Sequence, residues 1–327
     1  MPSAVCALTL LAGIVGAGFA SGREIVRFFS SHGAAAAAAV ACATGALPFF
    51  LLRLFSRMDQ EQADGVFSLC RARFGARTGA LCGVLFFLLS AVTAGAMLAA
   101  CAELCALVFP VRHAYGVGLV SSLCLALFLA QRGAKGLALA GATLLCLLPL
   151  LLLRLLFLPV GEACFLPAMT PDLPVRAVTD GVSYAALNAA LLLGAQPVLL
   201  SMPTRTRKRG VLLFTLLFAA LLSLACAVCL RHAQTVALQP MPFVSLSQRL
   251  GGGYWLVASC MYAAALSTLA SLCTGLIGML PCSQPTSVFL CGTVVLALSQ
   301  AGFGALVQSA YPVLGAVCAG LLLLLCT

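Results

Sequence analysis

Eight carboxylates, three histidines and seventeen cysteines make up the acid–base, nucleophilic and metal-binding capacity of this chain. The carboxylates are Glu24, Asp59, Glu61, Asp64, Glu103, Glu162, Asp172 and Asp180. They form no Ser/His/Asp arrangement and no H-E-x-x-H spacing, so nothing in them predicts an enzyme. A structural zinc site needs about four convergent ligands, and His32, His113 and His232 lie far apart with no second ligand pair beside them. The cysteines are scattered among Leu and Ala, where a thiol behaves as a small apolar residue. The one C-x-x-C, Cys226 to Cys229, sits inside an apolar run. No resident cofactor is expected from this inventory. One stretch stands apart: Gly16 to Phe29, GAGFASGREIVRFF, sets three glycines, a serine and an Arg-Glu pair among apolar residues. Ionised groups inside such a run are expensive and mark function.

The elements that must hold this stretch follow from composition. With 63% hydrophobic and 8% charged residues and a mean hydropathy of +1.14, a chain of 327 residues cannot cover itself with polar surface, which excludes a soluble globule. Apolar runs near 4–30, 33–56, 78–109, 114–131, 136–158, 177–200, 210–231, 253–280, 286–301 and 303–326 have bilayer-spanning length. They predict an all-α polytopic membrane protein of about ten transmembrane helices, a single domain over 1–327. Met1-Pro2-Ser3 carries no positive charge and the apolar pattern continues to Phe29, so the first run is expected to stay in the mature protein. With the N-terminus cytoplasmic, inner loops hold eleven of the eighteen Lys and Arg residues, which predicts both termini inside. The cluster Arg205, Arg207, Lys208 and Arg209 reads as a juxtamembrane loop touching anionic lipid, not as a nucleic-acid site.

Three loops are longer. Residues 57–77 mix charge with Val66, Phe67 and Leu69, and Asp59 with Gln62 has capping-box spacing, which predicts a cytoplasmic amphipathic helix. The outer loop 159–176 is proline-rich and reads as irregular. The outer stretch 235–250 has two prolines and then a short amphipathic run, which fits either a lid helix over an outward vestibule or a plain surface loop. The run Ala34 to Ala39 predicts close packing in the second span.

Gly16, Gly18 and Gly22 weaken the first span, and Ser21 with Glu24 has the spacing of a capping box, so a second half-helix is expected to begin near Ser21. Freed backbone groups are costly in hydrocarbon, and a break survives only where protein surrounds it or a wet cavity meets it. Broken spans of this kind build transporter sites. The start of the second half-helix would face an anionic group, and carbonyls ending the first would hold a cation. The alternative is a continuous glycine-packed helix with Glu24 paired to Arg23 or Arg27. In a chain of inverted halves, approximately 1–158 and 177–327, the sixth span should be interrupted too. DGVSYAALNAALLLGAQPVLLSM carries Asn188, Gly194, Gln196 and Pro197 in its apolar run.

GAGFASGREIVRFF, with RFGARTG before the third span, AGAMLAACAEL within it and VSYAALNAALLLGAQPVL in the sixth, resembles the YkvI-like bacterial membrane proteins over nearly the whole chain. The resemblance implies the amino acid–polyamine–organocation superfamily, whose fold is a five-plus-five inverted repeat (LeuT-like) with broken helices 1 and 6. It also implies a place in the bacterial cell (inner) membrane. In sodium-coupled relatives of this fold, an A-G-L-T-S-like stretch of the eighth helix offers a carbonyl and two hydroxyls to Na+, opposite carbonyls of the first-helix break. The matching residues here are Ala264, Ser267 and Thr268, with Ala12 and Val15 opposite. Oxygen-only ligands suit a hard cation. Proton coupling through Glu24 or Glu103 stays open beside it.

The expected function is secondary active transport of a small organic solute, an amino acid or related zwitterion, coupled to a cation by alternating access. The solute carboxylate is expected at the Gly18–Gly22 break, with Gly16, Phe19, Ala20 and Ser21 around it. Its amine is expected near Tyr184 and Asn188, and its side chain against Thr93 and Tyr262. Relatives of the fold that serve as ligand-sensing receptor subunits, such as those of spore germination, supply the alternative. The expected partners are the solute and the lipid bilayer, with no nucleic acid.

Overall fold

The computed structural model describes residues 2–109, 111–159, 173–192, 199–236, 242–247, 254–303, 306 and 311–326. Every regular element among them is helical. The first span region contains α1 (Pro2–Ile14), α2 (Ala17–Ala20) and α3 (Arg23–Phe28), and a 3-10 stretch (Ser30–Ala35) leads into α4 (Ala36–Gln60). Then come α5 (Val66–Val108), α6 (Ala114–Gln131), α7 (Ala134–Leu156), α8 (Leu173–Leu191) and α9 (Thr204–Arg231). The short α10 (Ala233–Val236) and α11 (Pro242–Ser247) precede α12 (Tyr254–Met279), α13 (Gln284–Ser299) and α14 (Tyr311–Cys326).

Among the described residues, Ser30–Gln60, Phe67–Ala106, Ala114–Gln131, Thr204–Arg231 and Trp255–Met279 are long and apolar enough to cross a bilayer, while Pro2–Ile14, Cys146–Leu156 and Gln284–Ser299 are apolar but shorter. The chain is a multi-pass membrane protein, with five full-length spans among the described residues where the sequence predicts about ten. The run 4–30 falls short because it is interrupted twice. The run 177–200 is helical through Leu191, and its expected breakers Gly194, Gln196 and Pro197 lie outside the described residues.

Apolar side chains point both inward and outward, as a bilayer allows. Leu10, Leu11, Phe86, Phe214 and Leu272 are buried between helices, whereas Phe49, Leu81, Phe128, Leu216 and Phe289 stand exposed on the outer faces. Without a hydrophobic drive between helices in lipid, close packing of small residues sets the contacts. α4 packs on α8, where Ala36, Ala39 and Ala43 are buried and a Cβ on Gly181 would strike the Ala39 carbonyl. α1 lies against α7, α9 and α12, and α5 against α6, α12 and α13, which surrounds the first span with protein.

Residues 57–77 do not form the single amphipathic helix that their composition predicts. α4 runs on to Gln60, the chain turns through Gln62 at φ 52, and α5 starts at Val66. The Asp59–Gln62 capping box does not form. Gln62 Nε2 donates to the Asp59 carbonyl (2.9 Å), and the start of α5 is capped instead by Ser68, whose Oγ accepts from the Gly65 N–H at 3.1 Å. The Asp59 carboxylate is engaged by Arg207, whose Nη2 lies 2.6 Å from both of its oxygens and ties α4 to α9. α5 itself bends at Gly75 (φ 79, ψ 175), a backbone region reserved for glycine, so that its first turns fold back along the rest. A Cβ on Gly83 would collide with the Phe67 ring.

Candidate functional site

The first span is broken at two places that bracket one helical turn. α1 ends at Ile14, Val15 and Gly16 are non-helical, α2 is a single turn, and Ser21–Gly22 lead into α3. The continuous-helix alternative is thereby excluded. Most break amides bond locally: Val15 N–H to Leu11 O (3.0 Å), Gly16 N–H to Ile14 O (3.0 Å), Ala20 N–H to Gly16 O (2.9 Å) and Gly22 N–H to Phe19 O (3.0 Å). Ser21 Oγ donates to Gly18 O at 3.1 Å, and the Arg23 N–H approaches the same Oγ at 3.4 Å.

The capping box expected of Ser21 and Glu24 is not formed. Gly22 precedes α3 in a left-handed conformation (φ 83, ψ −2), with no side-chain cap on the helix. That conformation turns the chain so that Glu24 reaches back over α2 rather than to the Ser21 amide. A Cβ on Gly18 would collide with Glu24 Oε1, so the carboxylate lies directly on this glycine. The Tyr184 hydroxyl of α8 donates to Glu24 Oε2 at 3.3 Å. Glu24 belongs to neither of the ion pairs among the described residues, His32–Asp180 and Arg207–Asp59. Tyr184 is fully buried, with ring centroids of Phe29 at 5.0 Å, Phe28 at 5.3 Å and Phe218 at 6.5 Å, and Phe218 in turn meets Phe19 at 5.8 Å. These rings fix the tyrosine and keep the carboxylate in a region of low dielectric, where charge complementarity weighs heavily.

α11 covers the break. The Phe243 N–H donates to the Ser21 carbonyl at 2.9 Å, and the fully buried Phe243 ring lies 3.0 Å from where a Cβ on Gly22 would stand. Within 235–250 a short helix forms over Pro242–Ser247 and packs on the break. Residues 237–241 and 248–250 lie outside the described residues.

Ala12, Val15, Ala264, Ser267 and Thr268, the oxygens expected to face a cation, are all buried. The Ala12 carbonyl loses its regular helical donor because the Gly16 N–H turns to Ile14 O, and Thr268 Oγ1 donates to Ala12 O across the α1–α12 contact at 3.1 Å. Ser267 Oγ donates to Ala264 O at 2.9 Å, within its own helix, as serines in spans commonly do. Of this set, Thr268 and Ala12 meet across the helix break, while Ser267 and Ala264 pair within α12.

The remaining expected residues are distributed unevenly. Thr93 is buried and its Oγ1 has no hydrogen-bond partner among the described residues. It lies one turn from Met97, whose Sδ is 3.3 Å from a Cβ placed on Gly16. Asn188 is buried beside the aromatic cluster, and its Nδ2 donates to the Tyr184 carbonyl at 2.9 Å. Tyr262 is turned elsewhere: its hydroxyl is 3.0 Å from Ser122 Oγ, and it lines a cavity of about 450 Å³ with Cys105, Thr143 and Trp255. Glu103 accepts the Phe303 N–H at 3.3 Å. Three contributors were passed over in the sequence. Phe243 and Met97 carry no pattern of their own. Ser271 was within reach, since it follows Thr268 by three residues on the same face of α12. Its buried Oγ has no partner among the described residues and stands 3.0 Å from a Cβ placed on Gly13.

No family model matches the chain, and no curated protein matches it. Neither comparison confirms the YkvI-like resemblance. Among solved structures, the chain is similar to a Na+-coupled sialic acid symporter captured substrate-bound and outward-open. The two are 12% identical, with 97% of this chain and 76% of that one covered and a TM-score of 0.61. At that identity the likeness is one of fold alone.

Proposed function

We propose that the chain is a secondary active transporter of a small organic solute, an amino acid or related zwitterion, working by alternating access. The observation that carries this reading is the double break of the first span, where Gly18 and Gly22 bring backbone, the Glu24 carboxylate and the α11 cover together inside the helix bundle. Such irregular backbone is tolerated within a bilayer where protein or a solute cavity meets it. Gly16, Gly18, Phe19, Ala20, Ser21, Gly22, Tyr184 and Asn188 form the solute site, and Thr93 offers it a free hydroxyl. Na+ is the coupling ion, held by the oxygens of Ala12, Val15, Ala264, Ser267 and Thr268. It would supply a positive charge that braces α1 against α12, replacing the Thr268–Ala12 hydrogen bond. The Lys and Arg distribution supports both termini on the cytoplasmic side of a bacterial membrane.

The test is uptake in proteoliposomes. An inward Na+ gradient should concentrate a labelled amino acid from a mixed panel, and collapsing the gradient should release it. Binding of panel members without any gradient-driven accumulation would favour a sensing receptor over a carrier.

A further inference from the structure

We infer that the first-span break receives an ammonium group, held by the Glu24 carboxylate, so that a zwitterionic solute docks with its amine at Gly18 and its carboxylate pointing away. This rests on the proposed solute site and reverses the polarity that the glycine-rich break suggests by sequence.

The donors and acceptors around the break decide the polarity. An anionic group needs free N–H or O–H donors. Of the donors at the break, the amides of Val15, Gly16, Ala20 and Gly22 bond to local carbonyls, the Ser21 hydroxyl to Gly18 O, and the Tyr184 hydroxyl to Glu24. α3 has only six residues, too short to present much of a helix dipole to an anion. What the break presents is an acceptor. An ionised carboxylate accepts and never donates, and its two oxygens offer about four lone-pair positions. Among the described residues the partner of the Glu24 carboxylate is Tyr184, and Glu24 forms no ion pair. An ammonium brings three donors and no acceptor. It also brings a positive charge to a carboxylate that has the Tyr184 hydroxyl as its hydrogen-bond partner and feels Arg27 without pairing to it. A solute carboxylate at Gly18 would instead press against Glu24 Oε1, because even a methyl group there collides with it.

The test uses matched probes on the purified full-length protein, read by thermal unfolding across a concentration series. The probes are L-leucine, 3-methylbutylamine, which lacks the carboxylate, and 4-methylpentanoate, which lacks the amine. Equivalent sets built on alanine and phenylalanine widen the size range. Within a set, the amino acid and the amine should stabilise the protein and the carboxylate should not. Glu24→Gln keeps the shape and still accepts from Tyr184, and it should weaken both by about tenfold or more. Glu24→Asp, which retracts the charge by one methylene, should follow the same order and stands in if Gln fails to fold. Stabilisation by the carboxylate that survives Glu24→Gln and is lost in Gly18→Leu would overturn the polarity while leaving the site in place. A response unchanged by either substitution would overturn the site itself, and silence of every compound would overturn the inference.

Discussion

Two helices of this protein are interrupted at glycines with nearly the same φ, Gly22 at 83° in the first span and Gly75 at 79° in α5. Their surroundings differ. A Cβ on Gly75 would meet nothing within 4 Å, and Arg71, Arg73 and Arg77 beside it are exposed. The backbone there is exposed, and the bend reverses the chain. At Gly22 the ring of Phe243 closes over the turn, the Ser21 carbonyl is capped by the Phe243 N–H, and Glu24 lies back across Gly18. The backbone device is shared. Enclosure sets one copy apart, because polar groups freed within hydrocarbon must find partners.

The contrast is best broken at its enclosed end. Gly18→Leu combined with Gly22→Leu should displace Glu24 and Phe243, lowering solute affinity by about 100-fold or more, or roughly 2.7 kcal/mol, while membrane insertion persists. Calorimetric titration of the double variant reads this directly, and an unaltered affinity would remove the break from the site.

Removing the cover should act next. A buried Phe→Ala change costs about 3–5 kcal/mol in a well-packed core. In Phe243→Ala that cost falls on the closed arrangement, so amide hydrogen exchange across Phe19–Phe29 should quicken by about tenfold or more. An unchanged exchange rate would mean that α11 covers nothing.

A smaller effect separates the two hydroxyls of α12. Thr268→Val strips the Ala12 carbonyl of its donor and the cation of a ligand, and it should weaken Na+ binding by about tenfold. Ser267→Ala should do less, since its hydrogen bond to Ala264 stays within one helix. By reciprocal linkage, solute affinity should fall with each at fixed Na+ and recover in part at saturating Na+. A solute affinity in the unmodified protein that ignores Na+ would end the cation reading.

The smallest effect on binding is expected at the open glycine. Gly75→Ala forces an alanine into a glycine region of backbone space, worth about 1–3 kcal/mol of stability. It should lower the unfolding temperature and leave solute affinity unchanged. A loss of affinity would show that the α5 bend is coupled to the site.

The position of the break was legible because glycine, serine and ionised residues are conspicuous against an apolar background and costly within it. The capping boxes at Ser21–Glu24 and Asp59–Gln62 were misread for one reason. Spacing along a helix says which groups can meet, and a positive φ at Gly22 or Gln62 then sends the side chain another way. The lid was half legible. Its two prolines and amphipathic run marked a short helix, but not that Phe243 would be its buried tip. Tyr262 and Glu103 looked like site residues because polar groups in spans invite function, and in the structure they bond to Ser122 and to the Phe303 amide.

By itself the sequence determined the solvent of this protein, through its apolar content. It determined where the first span must break, through its glycines. Only the tertiary structure decided the partners. Tyr184 meets Glu24 across 160 residues, and Thr268 meets Ala12 across 256. Periodicity relates residues within a turn or two of one helix. Which helix lies beside which is settled by packing small residues, such as Gly181 against Ala39.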